Sequence, residues 1–480
     1  MQLPILASAP LVSQHAAAFE DLFENRKQFR HFQNYLTGLM VLPNKSMANI
    51  SRCIVDSADK TNLSRFMSME LWSDQKVNDR RITYLNQQTK AVRKPKSDSV
   101  LIFDDTLCEH VGSLFEYVDR HYDHADDRYP LAHNPVTSHY VSGAVRFPVD
   151  LRLYRRYEEL TQWEAFVFKH FPITVIPKNK KERQRLHKQV DETLLQDPDF
   201  LKLHNQFRTK IDLAIELLHS AIAHRLCFDV LLFDGWYLSE ALVKEATRRR
   251  KKWISLLKKN RNLETNSFQL KASDGQPIVF EGAHVSVEDF VKKIPANAFK
   301  MVVVNNKIYW TFTLTVRIPS LGKVRLVISY ENEKLTDTFV VLVTSCLDWS
   351  AKRIIETYLL RWPIETFYQD GKEHLGFDEY LMRNAEAIEK HWCLVFVAYS
   401  FLHLDCLPSP LAKRHLPTKS IGQACREQAR ALIELLIVKS HEMMQNCRDA
   451  KSVFDFIFSL SLIHISEPTR RTPISYAVFC

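Results

Sequence analysis

Tyr358, Arg361, Glu365 and Lys372 lie in the stretch YLLRWPIETFYQDGK at offsets of 0, 3, 7 and 14 residues. At about 100° per residue, these offsets fall within roughly 60° of one another on a helix. A phenol, an acid and two cations would then share one face, as a site for a metal ion and phosphate requires. Glu and Lys at such spacing also form ordinary solvated helix faces. Two groups of acids far upstream favour chemistry. Val100–Phe103 is a continuous apolar run ending in Asp104-Asp105-Thr106, and Phe228–Phe233 reads as a second apolar strand, ending in Asp234-Gly235-Trp236. Such runs suit strands buried on both faces, and open α/β sheets bind ligands at the carboxyl ends of their strands.

One of Asp104 and Asp105, together with Asp234 and Glu365, therefore supplies the candidate catalytic and metal-binding acids. Three carboxylates converging at a sheet edge can hold two divalent cations through oxygen, as Mg²⁺ prefers. Two such ions serve phosphodiester transfer by activating a water or hydroxyl and stabilising the leaving oxygen. Arg361 and Lys372 would bind the flanking phosphates. Neighbouring strand residues face opposite ways, so Asp104 and Asp105 compete for the role of first ligand. Pro363 removes a backbone hydrogen bond and should divide the stretch. Tyr358 and Arg361 then end one helical segment, and Glu365 with Lys372 begins the next.

The elements that must position these residues can be read in outline. With 480 residues, 46 % hydrophobic and 25 % charged, the chain has the composition of a globular protein of two to four domains. Ten glycines and the lack of GxGxxG or GxxxxGK[ST] argue against dinucleotide and P-loop chemistry. The net charge of +9, with its basic residues clustered, favours a polyanionic partner. Nine scattered cysteines without a CxxC pair, and no leading signal peptide, suggest a reducing cytoplasm. The most apolar segment, Trp392–Leu404, is short and contains His403, which suits a buried helix and not a membrane span.

Residues 15–95 read as helices, with Phe19, Leu22, Phe23, Phe29, Phe32, Leu36 and Leu39 near a 3.6 period. Short helices around Met47–Val55 and Leu63–Met69 could form a helix-turn-helix with Lys45, Lys60 and Arg65 near phosphates, or part of an ordinary bundle. Ala91–Ser99 is a basic linker. Val136–Phe147 reads as a strand, preceded by His121, Asp123, His124, Asp126 and Asp127, a solvated loop more than a zinc site. A basic run over Ile176–Gln189 leads into a helix near Phe200–Ala223, and a further helix covers Ser239–Arg250. The densest cationic run is Arg248–Lys252, and Trp253–Asn260 reads as a strand bearing Lys258 and Lys259 at its end. Cations interleaved with aromatics suit a nucleic-acid track, or simply a solvated face. Phe268–Thr344 is β-rich, and helices follow from Asp348.

Taken together, these residues resemble an insertion-sequence transposase of the DDE superfamily. In one group of that superfamily the third acid lies in a Tyr-x-x-Arg-x-x-x-Glu signature with a Lys after six further residues, and Tyr358, Arg361, Glu365 and Lys372 match it. FDDT at Phe103–Thr106, FDGW at Phe233–Trp236 and LKKN at Leu257–Asn260 support the resemblance, which spans residues 20–440. It selects Asp105, the acid before Thr106, as the first ligand.

The resemblance implies an α/β fold: a ribonuclease-H-like mixed-sheet core with an N-terminal helical domain and a mainly β insertion. Residues 1–95 would be the helical DNA-binding domain, 96–262 the first part of the catalytic core and 263–345 the insertion. Residues 346–459 would complete the core and add C-terminal helices. It also implies cleavage at transposon ends with two Mg²⁺ ions, for which Mn²⁺ can substitute, and transfer of the 3′ hydroxyl into target DNA. The partners would be double-stranded DNA, as terminal inverted repeats and target, and a second copy of the chain. Tyr358, Arg361, Lys372, Lys258, Lys259 and Trp310 would contact DNA, Trp310 by stacking on a flipped base. The alternatives are a catalytically silent relic that still binds DNA and a structure-specific nuclease on the same fold. Leu460–Cys480 resembles the translation of a sequencing-library adapter and is set apart from the fold.

Overall fold

Apolar periodic runs near the N-terminus become helices where a polar side chain can accept the unpaired N–H groups of a first turn. The computed structural model describes residues 4–55, 61–69, 71–123, 126–156, 162–336, 338–408, 418–446, 449–454 and 457. Lys60, His124 and residues 460–480 lie outside these. After α1 (Pro10–His15), Asn25 caps α2 (Arg26–Val41) and Ser46 caps α3 (Met47–Cys53). Then come α4 (Thr61–Ser68) and α5 (Asp74–Gln88). Phe19, Phe32, Leu36 and Leu39 are fully buried, as their spacing predicts. Lys45 is not a phosphate contact. It is buried, and its ammonium donates to the Leu39 carbonyl at 2.6 Å.

The sheet begins with β1 (Val100–Asp105), short β2 (Cys108–Glu109) and β3 (Asp119–Arg120), then β4 (Leu131–Ser142) and β5 (Val145–Tyr154). The single strand expected over Val136–Phe147 is a hairpin instead. Gly143, at φ +66°, takes the left-handed conformation that lets the chain reverse there. Next, α6 (Gln162–His170), α7 (Lys180–Leu194) and α8 (Pro198–Gln206) pack around Trp163, Val167, Val190, Leu194 and Phe200. The helix expected over Phe200–Ala223 is broken before α9 (Lys210–Ala223). Thr209 and Asp212 form a capping box at the new start, a local bond set that outcompetes helix continuation.

Then follow β6 (Val230–Phe233), α10 (Glu240–Arg248) and β7 (Lys252–Leu256). The strand expected to reach Asn260 stops at Leu256, leaving Lys258 and Lys259 in the turn beyond it. Short β8 (Asn262–Glu264), β9 (Leu270–Lys271), β10 (Pro277–Ile278) and β11 (His284–Ser286) form two small ladders, β9–β10 turning at Ser273-Asp274-Gly275. After α11 (Val287–Lys292) come β12 (Lys300–Val304), β13 (Lys307–Ile318), β14 (Gly322–Tyr330) and β15 (Val340–Thr344). These last four belong to the main sheet. Its order is β12-β13-β14-β15-β7-β6-β1-β4-β2, with β3 and β5 also paired to β4. β1, β6 and β7 run parallel, and their neighbours β4 and β15 run antiparallel to them.

The chain ends its described course with α12 (Ala351–Leu359), α13 (Trp362–Leu375), α14 (Ala385–Cys406) and α15 (Ile421–Gln445). It folds as two units. One comprises the described residues up to Tyr84, those from Asp370 to Cys406 and those from Thr418 onward; the other holds the sheet, from Leu85 to Gln369. The fold is thus mixed α/β, with an eleven-stranded mixed sheet and helices. Among the described residues, no helix is long and apolar enough to cross a membrane.

Candidate active site

The site is set by the register of two central strands. Parallel pairing places Val100 beside Val230, Leu101 beside Leu231 and Ile102 beside Leu232. Continued two positions, that register brings Asp104 alongside Asp234 at the carboxyl end of the sheet. Asp234 closes its own turn: one carboxylate oxygen accepts the Trp236 and Tyr237 N–H groups at 2.9 and 3.2 Å. The tight turn suits Gly235, where an added Cβ would sit 3.0 Å from the Leu256 carbonyl oxygen.

The third acid arrives from the break between α12 and α13. Pro363 occupies the second position of α13, where its missing N–H is harmless, and the chain turns at Leu360–Arg361. This break points Arg361 at two acids. Its guanidinium donates to Asp104 at 2.5 Å and also to Glu365. Asp104, Arg361 and Glu365 therefore form one bridge between a strand end and a helix start. Burial pushes the Asp104 pKa up to about 7, with Asp105 and Asp234 adding to the rise and Arg361 opposing it. Burial acts to lower the pKa of Arg361, but Asp104 and Glu365 outweigh it and the net direction is up. Burial also raises Tyr358, whose hydroxyl feels the charges of Arg361, Asp234 and Asp104.

Asp105 belongs to a second cluster. One carboxylate oxygen accepts from Lys210 Nζ at 2.7 Å and Asn134 Nδ2 at 3.0 Å; the other accepts from the Tyr237 hydroxyl at 2.7 Å. Burial alone would raise this carboxyl, yet the charge of Lys210 and the three hydrogen bonds hold it below its ordinary value. Behind these groups, the buried Tyr368 hydroxyl meets Thr137 Oγ1 at 2.6 Å. Lys210, Asn134, Tyr237, Tyr368 and Thr137 carry no local sequence signal for this role, except that Tyr237 follows Asp234 by three residues.

The remaining sequence candidates are placed unequally. Lys258 is exposed and its stem passes over Gly235, next to Asp234. Lys259 lies over the Phe339 ring at 4.3 Å. A cleft of about 410 Å³ is lined by Tyr309, Glu331, Val340, Ile355, Tyr358 and Leu359. Because Tyr309 faces this cleft, the half-buried Trp310 points to the other side of β13. Lys372 lies on α13, two turns beyond Glu365. The Arg248–Lys252 run is largely engaged within the protein: Arg248 and Arg249 hold Glu245 at 2.7 and 2.8 Å. Lys251 donates to the Phe228 carbonyl at 2.6 Å, and Lys252 pairs with Asp229 at 3.3 Å. The loop acids Asp123 and Asp126 pair with Arg128 at 3.8 and 3.2 Å, while Asp127 accepts from Tyr122.

An acidic sheet end with a helical acid brought to it by an arginine has the layout expected of a DDE nuclease, and comparison with known families bears on this directly. The profile of the family described as DDE superfamily endonuclease matches residues 18–284, more than half of the chain. The chain belongs to that family. A second profile, described as transposase DDE domain, matches residues 200–401 and so includes Asp234, Arg361 and Glu365. No protein of curated function matches the chain.

A DDE superfamily endonuclease implies DNA cleavage with a divalent metal. Among the described residues, no three His, Cys, Asp or Glu side chains are close enough to hold one ion together. In donor chemistry the acids at this sheet end suit such an ion, since Mg²⁺ accepts carboxylate oxygens, and three of them already face a cation, Asp104 and Glu365 at Arg361 and Asp105 at Lys210.

Proposed function

We propose that this chain is a transposase of the insertion-sequence type, built on a ribonuclease-H-like core, that cleaves transposon ends and joins the 3′ hydroxyl to target DNA. The observation that carries this reading is the Asp104–Arg361–Glu365 bridge, which couples the Tyr-x-x-Arg-x-x-x-Glu signature to the end of the central strand. Asp105, Asp234 and Glu365 are the acids that hold the metal. When bound, two Mg²⁺ or Mn²⁺ ions activate the attacking oxygen and stabilise the leaving one.

The chain's own groups bind and orient. Arg361 holds Glu365 at the strand end, and its guanidinium suits bidentate contact with a phosphate once DNA competes for it. Lys258, beside Asp234, and Lys372, on the Glu365 helix, are further phosphate contacts. Lys259, Tyr358 and Trp310 complete the proposed DNA surface, and two copies of the chain would hold the two transposon ends.

A second assignment of the first acid has its own support. Extension of the β1–β6 register puts Asp104, not Asp105, alongside Asp234, and Asp104 shares Arg361 with Glu365. Nicking by Asp104→Asn and Asp105→Asn separates the two: the true ligand loses roughly a thousandfold in rate and the other far less.

The test of the function itself is Glu365→Ala. It should abolish Mg²⁺-dependent nicking of the element's terminal repeats while retaining their binding. Cutting at the wild-type rate would remove Glu365 from the catalytic site. Cutting of branched DNA without preference for the terminal repeats would favour the nuclease reading, and binding without any cutting by the wild type would favour the silent relic.

A further inference from the structure

We propose that Lys210 is a resident counter-ion of the acidic site, which a divalent metal ion must displace from Asp105 in order to bind. The proposal rests on the reading of Asp105 as a metal-binding acid. Lys210 is the first residue of α9, and its ammonium lies 2.7 Å from Asp105. Both side chains are largely shielded, at 17 % and 20 % exposure. The rings of Tyr154 and Trp236 lie 5.3 and 5.2 Å from the ammonium, where aromatic faces favour a cation. This is a built position for a positive charge.

The three donors on Asp105 differ in what they do to an incoming ion. Tyr237 and Asn134 are neutral, so they can go on orienting the carboxylate while a metal takes its remaining lone pairs. Lys210 cannot. It brings a full positive charge to the same oxygen, and two cations on one carboxylate repel strongly where water is scarce. The helix start holds the Lys210 backbone through the Thr209–Asp212 box, while the four-carbon side chain has the rotatable bonds needed to withdraw the ammonium from Asp105.

Charge balance points the same way. Fully ionised, Asp104, Asp105, Asp234 and Glu365 carry four negative charges against the two positive charges of Arg361 and Lys210. Asp104, with its pKa raised to about 7, is only partly ionised near neutral pH, so one divalent ion already neutralises or exceeds the remainder. A second makes the site cationic, and each lysine or arginine still on a carboxylate then opposes it. Displacement of Lys210 relieves the conflict. It also explains why the acids stand around two cations in place of a single metal position.

The test is Mn²⁺ binding to the full chain without DNA, with the free ion counted by electron paramagnetic resonance. Wild type, Lys210→Met and Tyr237→Phe are compared, with thermal melts to verify folding. Lys210→Met should bind Mn²⁺ about tenfold more tightly, because the competing charge is gone. Tyr237→Phe, which removes a neutral donor from the same carboxylate, should stay within about twofold of wild type. If Lys210→Met binds no more tightly than wild type, or if Tyr237→Phe tightens equally, the counter-ion role is overturned and the metal site stands. If no folded chain binds Mn²⁺, the metal reading itself fails and the proposal falls with it. Should the methionine chain not fold, Lys210→Gln, polar but uncharged, is judged by the same outcomes.

Discussion

A buried imidazole without a carboxylate partner has to remain neutral, and among the described residues His391 is in that position. It is fully buried in α14; Nε2 lies 2.9 Å from the Gly376 carbonyl and Nδ1 2.8 Å from the Tyr35 hydroxyl. A carbonyl only accepts, so Nε2 carries the proton and Nδ1 accepts from Tyr35. Burial pushes the His391 pKa down from 6.5 to about 4, only partly opposed by the bond to Gly376. Between those values the unfolded chain binds a proton that the folded chain refuses. Stability is therefore complete above pH 6.5 and is lost as pH falls toward 4, by at most about 3 kcal/mol from this residue. Urea melts of wild type and His391→Gln from pH 7.5 down to about 4.5 check this. The variant should be less stable at neutral pH and show a shallower acid slope; an unchanged slope would assign the effect elsewhere.

At the scale of elements, the site depends on how closely β6 and β7 can end together. A Cβ on Gly235 would lie 3.0 Å from the Leu256 carbonyl oxygen and 3.5 Å from Lys258 Cγ. The lysine stem can move aside, but the carbonyl is fixed by its strand. Gly235→Ala should therefore push the strand ends apart, lowering stability by about 1–3 kcal/mol. Because Asp234 immediately precedes this glycine, nicking should fall by about tenfold or more beyond any loss of folded protein. Melting curves and single-turnover nicking read the two effects; wild-type values in both would mean that the turn tolerates a side chain. The central strands, their terminal acids and a break next to Pro363 were legible in sequence because local composition encodes them, although the break falls at Leu360–Arg361 and Pro363 already lies in α13. The rest of the site was not, since Lys210 and Tyr237 reach Asp105 from 105 and 132 residues away. Lys45 misled for a related reason: a lysine before a cap reads as exposed, and only the packing buries it. The missed break before α9 shows how a capping box can interrupt an apolar period that looks continuous.

For the whole molecule, the net charge of +9 says less than where unengaged cations lie. In the densest run, Arg248–Lys252, four of the five cations are already engaged, Arg248 and Arg249 by Glu245, Lys252 by Asp229 and Lys251 by a backbone carbonyl, so less of it is available to a phosphate. The basic segment before α9 differs. On α7, Lys181, Arg185 and Lys188 are exposed and carry no ion pair among the described residues. Their spacing of four and then three residues sets them along one helix face. Exposed cations in a row bind DNA by releasing counter-ions, and each phosphate neutralised adds about 0.9 to the slope of log affinity against log salt. Replacing all three with alanine should lower that slope by about 2 to 3 and weaken binding to specific and unrelated duplexes alike. The equivalent change at Arg248, Arg249 and Lys251 should lower the slope by less, because those cations are already engaged by Glu245 and the Phe228 carbonyl, and should cost a little thermal stability. Binding measured by fluorescence anisotropy between 50 and 300 mM salt, roughly the range in which such slopes are resolved, distinguishes the two. An unaltered slope in the α7 variant, with a reduced slope in the other, would reverse the assignment and place the DNA track on the end of α10.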